Sequence, residues 1–327
     1  MRKHKGLSMA IMVGVILVAI LVYMLAMVNR SGQSEVVYFV SKTSSENSTF
    51  WHSVERGVKV AADELGLEVI FVGPQREIDL EEQAQLVREG ILLDPMAIIL
   101  AASDYKALSE VSEAVVEENI TFLTVDSDVA IDSEHSFIAT NNINAAKLLA
   151  GEMAKLIGGD GLVGIVSHLE GTTSSIDREK GFSEGLADYK GIQIIEEIPY
   201  SSNDAVIAYN KTIELIGKYP DLEGLFGTNE ATLIGIAKAV ATLGLEGQIA
   251  VVGFDISEEA ASYLEKEIIQ AIIIQRPFNM GYLSVLEAYK QVKSGKDAER
   301  IDVDIVLVTK DNMFDEENQK FLIPFLE

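Results

Sequence analysis

Several hydrophobic runs in this chain end directly on polar side chains that could hold a ligand. Asp126 follows the run TFLTV at 121–125, and Asp255 follows the run at 249–254, which ends in Gly253 and Phe254. Arg178 lies just past a Gly/Ser/Thr-rich stretch at 171–175, Asn229 follows the run at 224–226, and Gln275 follows the run at 268–274. The first run, VVYFV at 36–40, leads into Ser41, Lys42 and Thr43. A polar stretch containing Asn47 comes next, then Phe50 and the single tryptophan, Trp51. Each residue alone has a plainer reading. Asp126, Asn229 and Asp255 suit helix N-caps, Arg178 a surface cation, and the two aromatics a core. Taken together they form an inventory for a polyhydroxylated ligand. Carboxylates and amides exchange paired hydrogen bonds with vicinal hydroxyls, Arg offers a planar fork, and the C–H faces of a sugar ring stack on aromatic rings.

The elements that must position these residues are visible in the patterning. β-Branched runs alternate with amphipathic stretches from residue 35 onward: strand readings at 36–40, 68–72, 97–100 and 121–125, with helix readings at 50–65, 80–93 and 105–118 between them. The alternation restarts after Thr140 with helices at 145–157, 176–189, 206–219, 231–243 and 258–265. Strands at 162–166, 192–198, 224–226, 249–254 and 268–274 separate them, and a helix near 280–293 follows. The runs are near-continuously apolar, as in parallel strands covered on both faces. Two successive βα series predict an α/β protein of two doubly wound parallel-sheet lobes, whose sites lie at the carboxyl ends of strands.

Composition removes other chemistries. The chain has 327 residues, with 26 Lys and Arg against 51 Asp and Glu, a formal charge of −25. Such a balance opposes binding by phosphate neutralisation, so no nucleic-acid partner is expected. Cysteine is absent, which excludes disulfides, Cys-ligated metals, thiol nucleophiles and a lipid-modified Cys anchor. The four His, at 4, 52, 135 and 168, show no metal-ligand spacing. No Gly-x-Gly-x-x-Gly, Walker or Gly-x-Ser-x-Gly motif occurs. His168 follows a strand, but with no evident nucleophile it supports no triad. No enzyme activity, cofactor or metal is expected.

At the N-terminus, Arg2, Lys3 and Lys5 precede an uncharged run from 7 to 28. As a helix it would span roughly 33 Å, enough for a hydrocarbon core of about 30 Å. The positive-inside rule then places residues 1–29 as a cytoplasmic tip and transmembrane signal anchor, 30–34 as a linker, and the body outside. The end of the run, Met27-Val28-Asn29, is a poor cleavage site.

At the strand ends the chain resembles the type I periplasmic sugar-binding proteins, the ribose-binding and LacI-like family. The likeness runs through Phe50-Trp51 with Gly57 and Leu65-Gly66, Thr124-Val125-Asp126, Thr140-Asn141-Asn142 and Arg178-x-x-Gly181-Phe182. It continues through Asn229-Glu230, Val251-Val252-Gly253-Phe254-Asp255 and Gln275 before Arg276-Pro277. The resemblance implies that Phe50 and Trp51 sandwich a sugar ring while Asp126, Arg178, Asn229, Asp255 and Gln275 bond its hydroxyls, with Ser41, Lys42, Asn47, Ser127 and Phe254 as further contacts. Ser127 stands where ribose binders typically carry Arg. It also implies a three-segment hinge, with one lobe at 35–140 plus 276–304 and the other at 141–275 plus 305–327. The implied function is the extracytoplasmic solute-binding component of an ABC-type carbohydrate importer, with a monosaccharide and a permease as partners. The alternative is a sugar-sensing co-receptor for a membrane histidine kinase or chemoreceptor. LacI-type regulators share the fold but begin with a helix-turn-helix, which this chain lacks.

Overall fold

The computed structural model describes residues 34–322 apart from Ser45 and Asn47. The expected membrane anchor, most of the expected linker, Asn47 and residues 323–327 lie outside the described residues. Among the described residues no helix is long and apolar enough to cross a membrane.

The first series runs β1 (Val36–Val40), α1 (Thr49–Leu65), β2 (Glu68–Val72), α2 (Leu80–Leu92), β3 (Ala97–Leu100), α3 (Ser109–Glu117), β4 (Thr121–Val125) and β5 (Ser136–Thr140). The second runs α4 (Asn142–Leu156), β6 (Asp160–Val166), α5 (Thr173–Leu186), β7 (Gly191–Ile194), α6 (Ala205–Lys218) and β8 (Leu222–Gly227). It continues through α7 (Glu230–Leu243), β9 (Ala250–Phe254), α8 (Glu258–Glu265) and β10 (Ala271–Ile274). The chain then adds α9 (Pro277–Ser294), β11 (Arg300–Val303), β12 (Val306–Thr309) and α10 (Glu316–Leu322). One six-stranded sheet has the order β11-β5-β4-β3-β1-β2, the other β12-β10-β9-β8-β6-β7. All pairs are parallel except β10 with β12. The chain therefore passes between sheets three times: after β5, after β10, and between β11 and β12.

Each sheet is buried on both faces, which explains the unbroken apolar runs. In β1, Val37 and Phe39 pack with Val54 and Val58 of α1, while Tyr38 and Val40 pack with Ala84 and Val87 of α2. α1 and α9 approach backbone to backbone. A Cβ at Gly57 would lie 2.0 Å from the Phe278 carbonyl oxygen, and one at Gly281 would lie 2.1 Å from that of Val54. This seam ties the helix carrying Phe50 and Trp51 to the one that follows the second crossing.

Three departures from the sequence reading matter. β5 was not expected: SFIAT sits between the polar stretches DSEH and NN, yet all five of its residues are buried between β4 and β11. α3 begins at Ser109 rather than 105, because the Tyr105 carbonyl, which a helix starting there would use, instead accepts from the Ala130 N–H at 2.7 Å. α5 begins at Thr173 rather than 176, which brings Ser174 and Ser175 into its first turn.

Candidate functional site

β4 and β9 end alike. Asp126 and Asp255 both sit in the left-handed region, at φ +62° and +68°, a conformation that Asp tolerates better than most residues. Their N–H groups donate to the carbonyls of Ile138 (2.9 Å) and Ile273 (2.8 Å) on the adjoining strands. Each side chain is thereby turned into a cavity of about 510 Å³ between the two sheets.

In the first lobe Asp126 is ion-paired. Its Oδ2 lies 2.6 Å from Lys42 Nζ, with both side chains buried. The ammonium also donates to Ser127 Oγ at 2.6 Å and to Ser174 Oγ, on the other lobe, at 3.3 Å. Further hydrogen bonds cross between the lobes here. The Asp128 N–H donates to Thr173 Oγ1 (2.7 Å), and Thr172 Oγ1 donates to Ser127 Oγ (3.0 Å). A Cβ at Gly171, whose φ of +88° favours glycine, would lie 2.1 Å from the Asp104 carboxylate, which would have to move.

In the second lobe Arg178 is the pivot. It is buried (2% exposed); its Nε donates to Asn142 Oδ1 at 2.8 Å and its Nη1 to the Thr228 carbonyl at 2.6 Å. Its guanidinium lies over the Phe254 ring, 4.0 Å from the centroid, and 3.9 Å from Asp255 Oδ2. Gln275 Nε2 donates to Asp255 Oδ1 at 2.8 Å, while Gln275 Oε1 is buried without a partner. Burial pushes the Asp255 carboxyl up, against the pull of Arg178 and the Gln275 hydrogen bond. Burial, helped by Arg178 and Lys42, holds His168 well below the ordinary histidine range. Its ring sits among the hydroxyls of Thr228, Ser174 and Ser175.

The structure brings Phe50, Trp51, Asp126, Arg178, Asn229, Asp255, Gln275 and Lys42 to one cavity. Ser41, Ser127 and Phe254 stand behind it. Ser41 Oγ donates to the Thr43 carbonyl (2.6 Å), Ser127 supports Lys42, and Phe254 supports Arg178. Asn229 also caps α7, its Oδ1 accepting from the Thr232 N–H at 3.0 Å, and its Nδ2 donates to Asn203. The expected aromatic sandwich is corrected. The Phe50 and Trp51 rings meet edge to face, 5.1 Å apart at 79°, so no slot separates them and a sugar ring can lie on only one. Trp51 is also part of the first lobe's core, and its indole N–H donates to Glu77 Oε1 at 3.2 Å.

Residues absent from the sequence-based set are Glu77, Ser174, Asn203 and Glu230, all of which line the cavity. Glu77 lies in the turn after β2, which the strand-end rule could have found. Burial pushes the Glu230 carboxyl up, against hydrogen bonds from Ser257 and, across the cleft, Thr49. His168, expected to be structural, also lines the cavity.

The profile of the periplasmic binding protein domain family matches residues 37–297. This chain belongs to that family. Its periplasmic binding protein domain is similar to the ribose import binding protein of Escherichia coli (strain K12), 25% identical over 82% of this chain and 88% of that protein. A carbohydrate transporter solute binding protein from Agrobacterium radiobacter, solved with D-arabinose, superposes with a TM-score of 0.83 at 25% identity, covering 89% of this chain and 99% of the other. An ABC transporter solute binding protein from Agrobacterium vitis with bound D-fucose gives 0.82 at 29% identity, covering 88% and 99%.

Proposed function

We propose that this chain is the extracytoplasmic solute-binding component of an ABC-type carbohydrate importer and closes its two lobes around a monosaccharide. One observation carries the reading. Ligand-competent groups from both sheets face a single cavity: Asp126 and Trp51 from one lobe, Arg178 and Asp255 from the other, and Gln275 at a crossing between them. Gln275 Oε1, buried and unpartnered, is an acceptor that a ligand hydroxyl would satisfy. The similar proteins, a ribose import binding protein and solute binding proteins solved with D-arabinose and D-fucose, support the class of ligand. The uncharged run at 7–28 behind three cations supports tethering at the membrane. That tether would raise the receptor's effective concentration at its permease.

A thermal-shift screen of the full chain in detergent against pentoses and hexoses tests this. A ligand that binds only the folded state raises its stability by mass action, about 2.7 kcal/mol at a hundredfold excess over Kd. At least one sugar is expected to raise Tm in proportion to the logarithm of its concentration. No shift with any of them would refute the reading.

A further inference from the structure

Glu77 is the cavity's unbalanced charge. It is 9% exposed, and among the described residues the hydrogen bond it accepts comes from the Trp51 indole, which is neutral. The nearby cations are committed elsewhere: Lys42 to Asp126, Arg178 toward Asp255, and Arg76 to Asp79. At the floor of the cavity three carboxylates thus face two cations. Further out, Asp204, Glu230 and Glu259 line the same cavity, and the chain as a whole carries −25. A buried carboxylate without a counter-ion is costly, and a neutral sugar hydroxyl cannot offset its charge. The edge of the Trp51 indole meets it, and Phe50 lines the same cavity. Among the described residues no three His, Asp or Glu side chains gather to hold a metal ion.

We infer that the ligand is a sugar bearing a protonated amine, with the Glu77 carboxylate as the counter-ion that selects it. This inference rests on the sugar-binding reading above and narrows it. The ammonium replaces the missing cation and donates to the Glu77 oxygens. The ring hydroxyls are left to Asp255, Arg178 and Gln275. Burial already pushes the Glu77 carboxyl up, against Lys42 and the Trp51 hydrogen bond, in keeping with a site that lacks one positive charge until the ligand arrives.

The test is calorimetric titration of the full-length protein with amino sugars carrying the amine at C2, C3, C4 or C6, each beside its neutral parent and its N-acetyl derivative. At least one amino sugar is expected to bind tenfold or more tightly than both neutral counterparts. In Glu77→Gln that preference should shrink to within about twofold. Gln keeps an acceptor for the Trp51 indole, so indole fluorescence reports whether the variant's local structure is intact. Neutral sugars binding as tightly as every amino sugar would overturn the inference and leave the sugar-binding reading standing. A preference that survives Glu77→Gln would overturn the role of Glu77. Binding of neither kind would remove the sugar-binding reading and this inference with it.

Discussion

The two lobes place an aspartate at the same point, and they treat it differently. Asp126 and Asp255 share strand-end position, left-handed backbone and a hydrogen bond to the next strand. Asp126 is in direct contact with a buried lysine at 2.6 Å. Asp255 faces its arginine at 3.9 Å and is otherwise held by one neutral amide. A close buried pair is a structural commitment, because removing one partner strands the other. A loosely opposed pair leaves its hydrogen-bonding capacity for a third party. Under the proposed function, Asp126–Lys42 would mainly hold the first lobe and its contact with Ser174, and Asp255–Arg178 would mainly serve the ligand.

The largest expected effect breaks the tight pair. Lys42→Met leaves Asp126 buried and uncompensated and should cost about 3–5 kcal/mol of stability. Adding Asp126→Asn to it should recover much of that loss. Urea unfolding of the single and double variants checks the coupling, and additive losses would show that the two side chains act independently. In the second lobe the balance should reverse. Asp255→Asn should weaken sugar binding by roughly 1.5–3 kcal/mol, the range for hydrogen bonds to charged groups, with little loss of stability. Arg178→Lys should not preserve affinity, since an ammonium lacks the planar fork that reaches Asn142 and Thr228 together. Calorimetry and melts on the same preparations separate the two quantities.

A smaller effect is pH-dependent. Burial raises Asp255 above its ordinary value, so on acidification the native state takes up a proton before the unfolded chain does. The sign follows: stability charged against this residue at neutral pH is regained as pH falls through the raised value. Asp255→Asn should accordingly stabilise the ligand-free protein at pH 8, and the gain should shrink as the pH is lowered toward the ordinary carboxylate range. A gain that grows on acidification would contradict the sign. The smallest effect sharpens the contact between lobes. Gly171→Ala should cost on the order of 1–2 kcal/mol from the left-handed backbone alone, and the added methyl would press on Asp104. Because those groups meet across the cleft, the same variant should weaken sugar affinity, which a purely local strain would not do.

Much of this was legible from residue order. Both βα series follow from near-continuous apolar runs, and the seven principal cavity residues from reading what comes after those runs, while the crossings between lobes were implied by the family resemblance alone. What escaped did so for physical reasons. β5 lies between polar stretches and is held by neighbouring strands, β4 and β11, the second of them distant in sequence. The start of α5 at Thr173 is set by the other lobe, whose Asp128 N–H and Ser127 hydroxyl engage Thr173 and Thr172, while local composition reads as a flexible Gly/Ser/Thr loop. Glu77 was passed over although it lies in the turn after β2, and the packing of Trp51 is what shows that it points inward. The aromatic pair was read as a sandwich because adjacency in sequence says nothing about the angle between rings.

A ligand held from both lobes must bring them together, so the distance between the lobes should report binding. The chain contains no cysteine, so a label pair can be introduced cleanly at Glu81→Cys on α2 and Val206→Cys on α6. Both positions are exposed, at the starts of helices that follow cavity-lining segments on opposite lobes. Bonds made from both sides stabilise the closed arrangement over the open one, and only such differential affinity shifts the equilibrium. Electron–electron distance measurements on the doubly labelled protein should show the distribution shortening and narrowing as sugar saturates the site. A distribution unchanged at saturating ligand, with binding verified calorimetrically on the same labelled sample, would contradict the account.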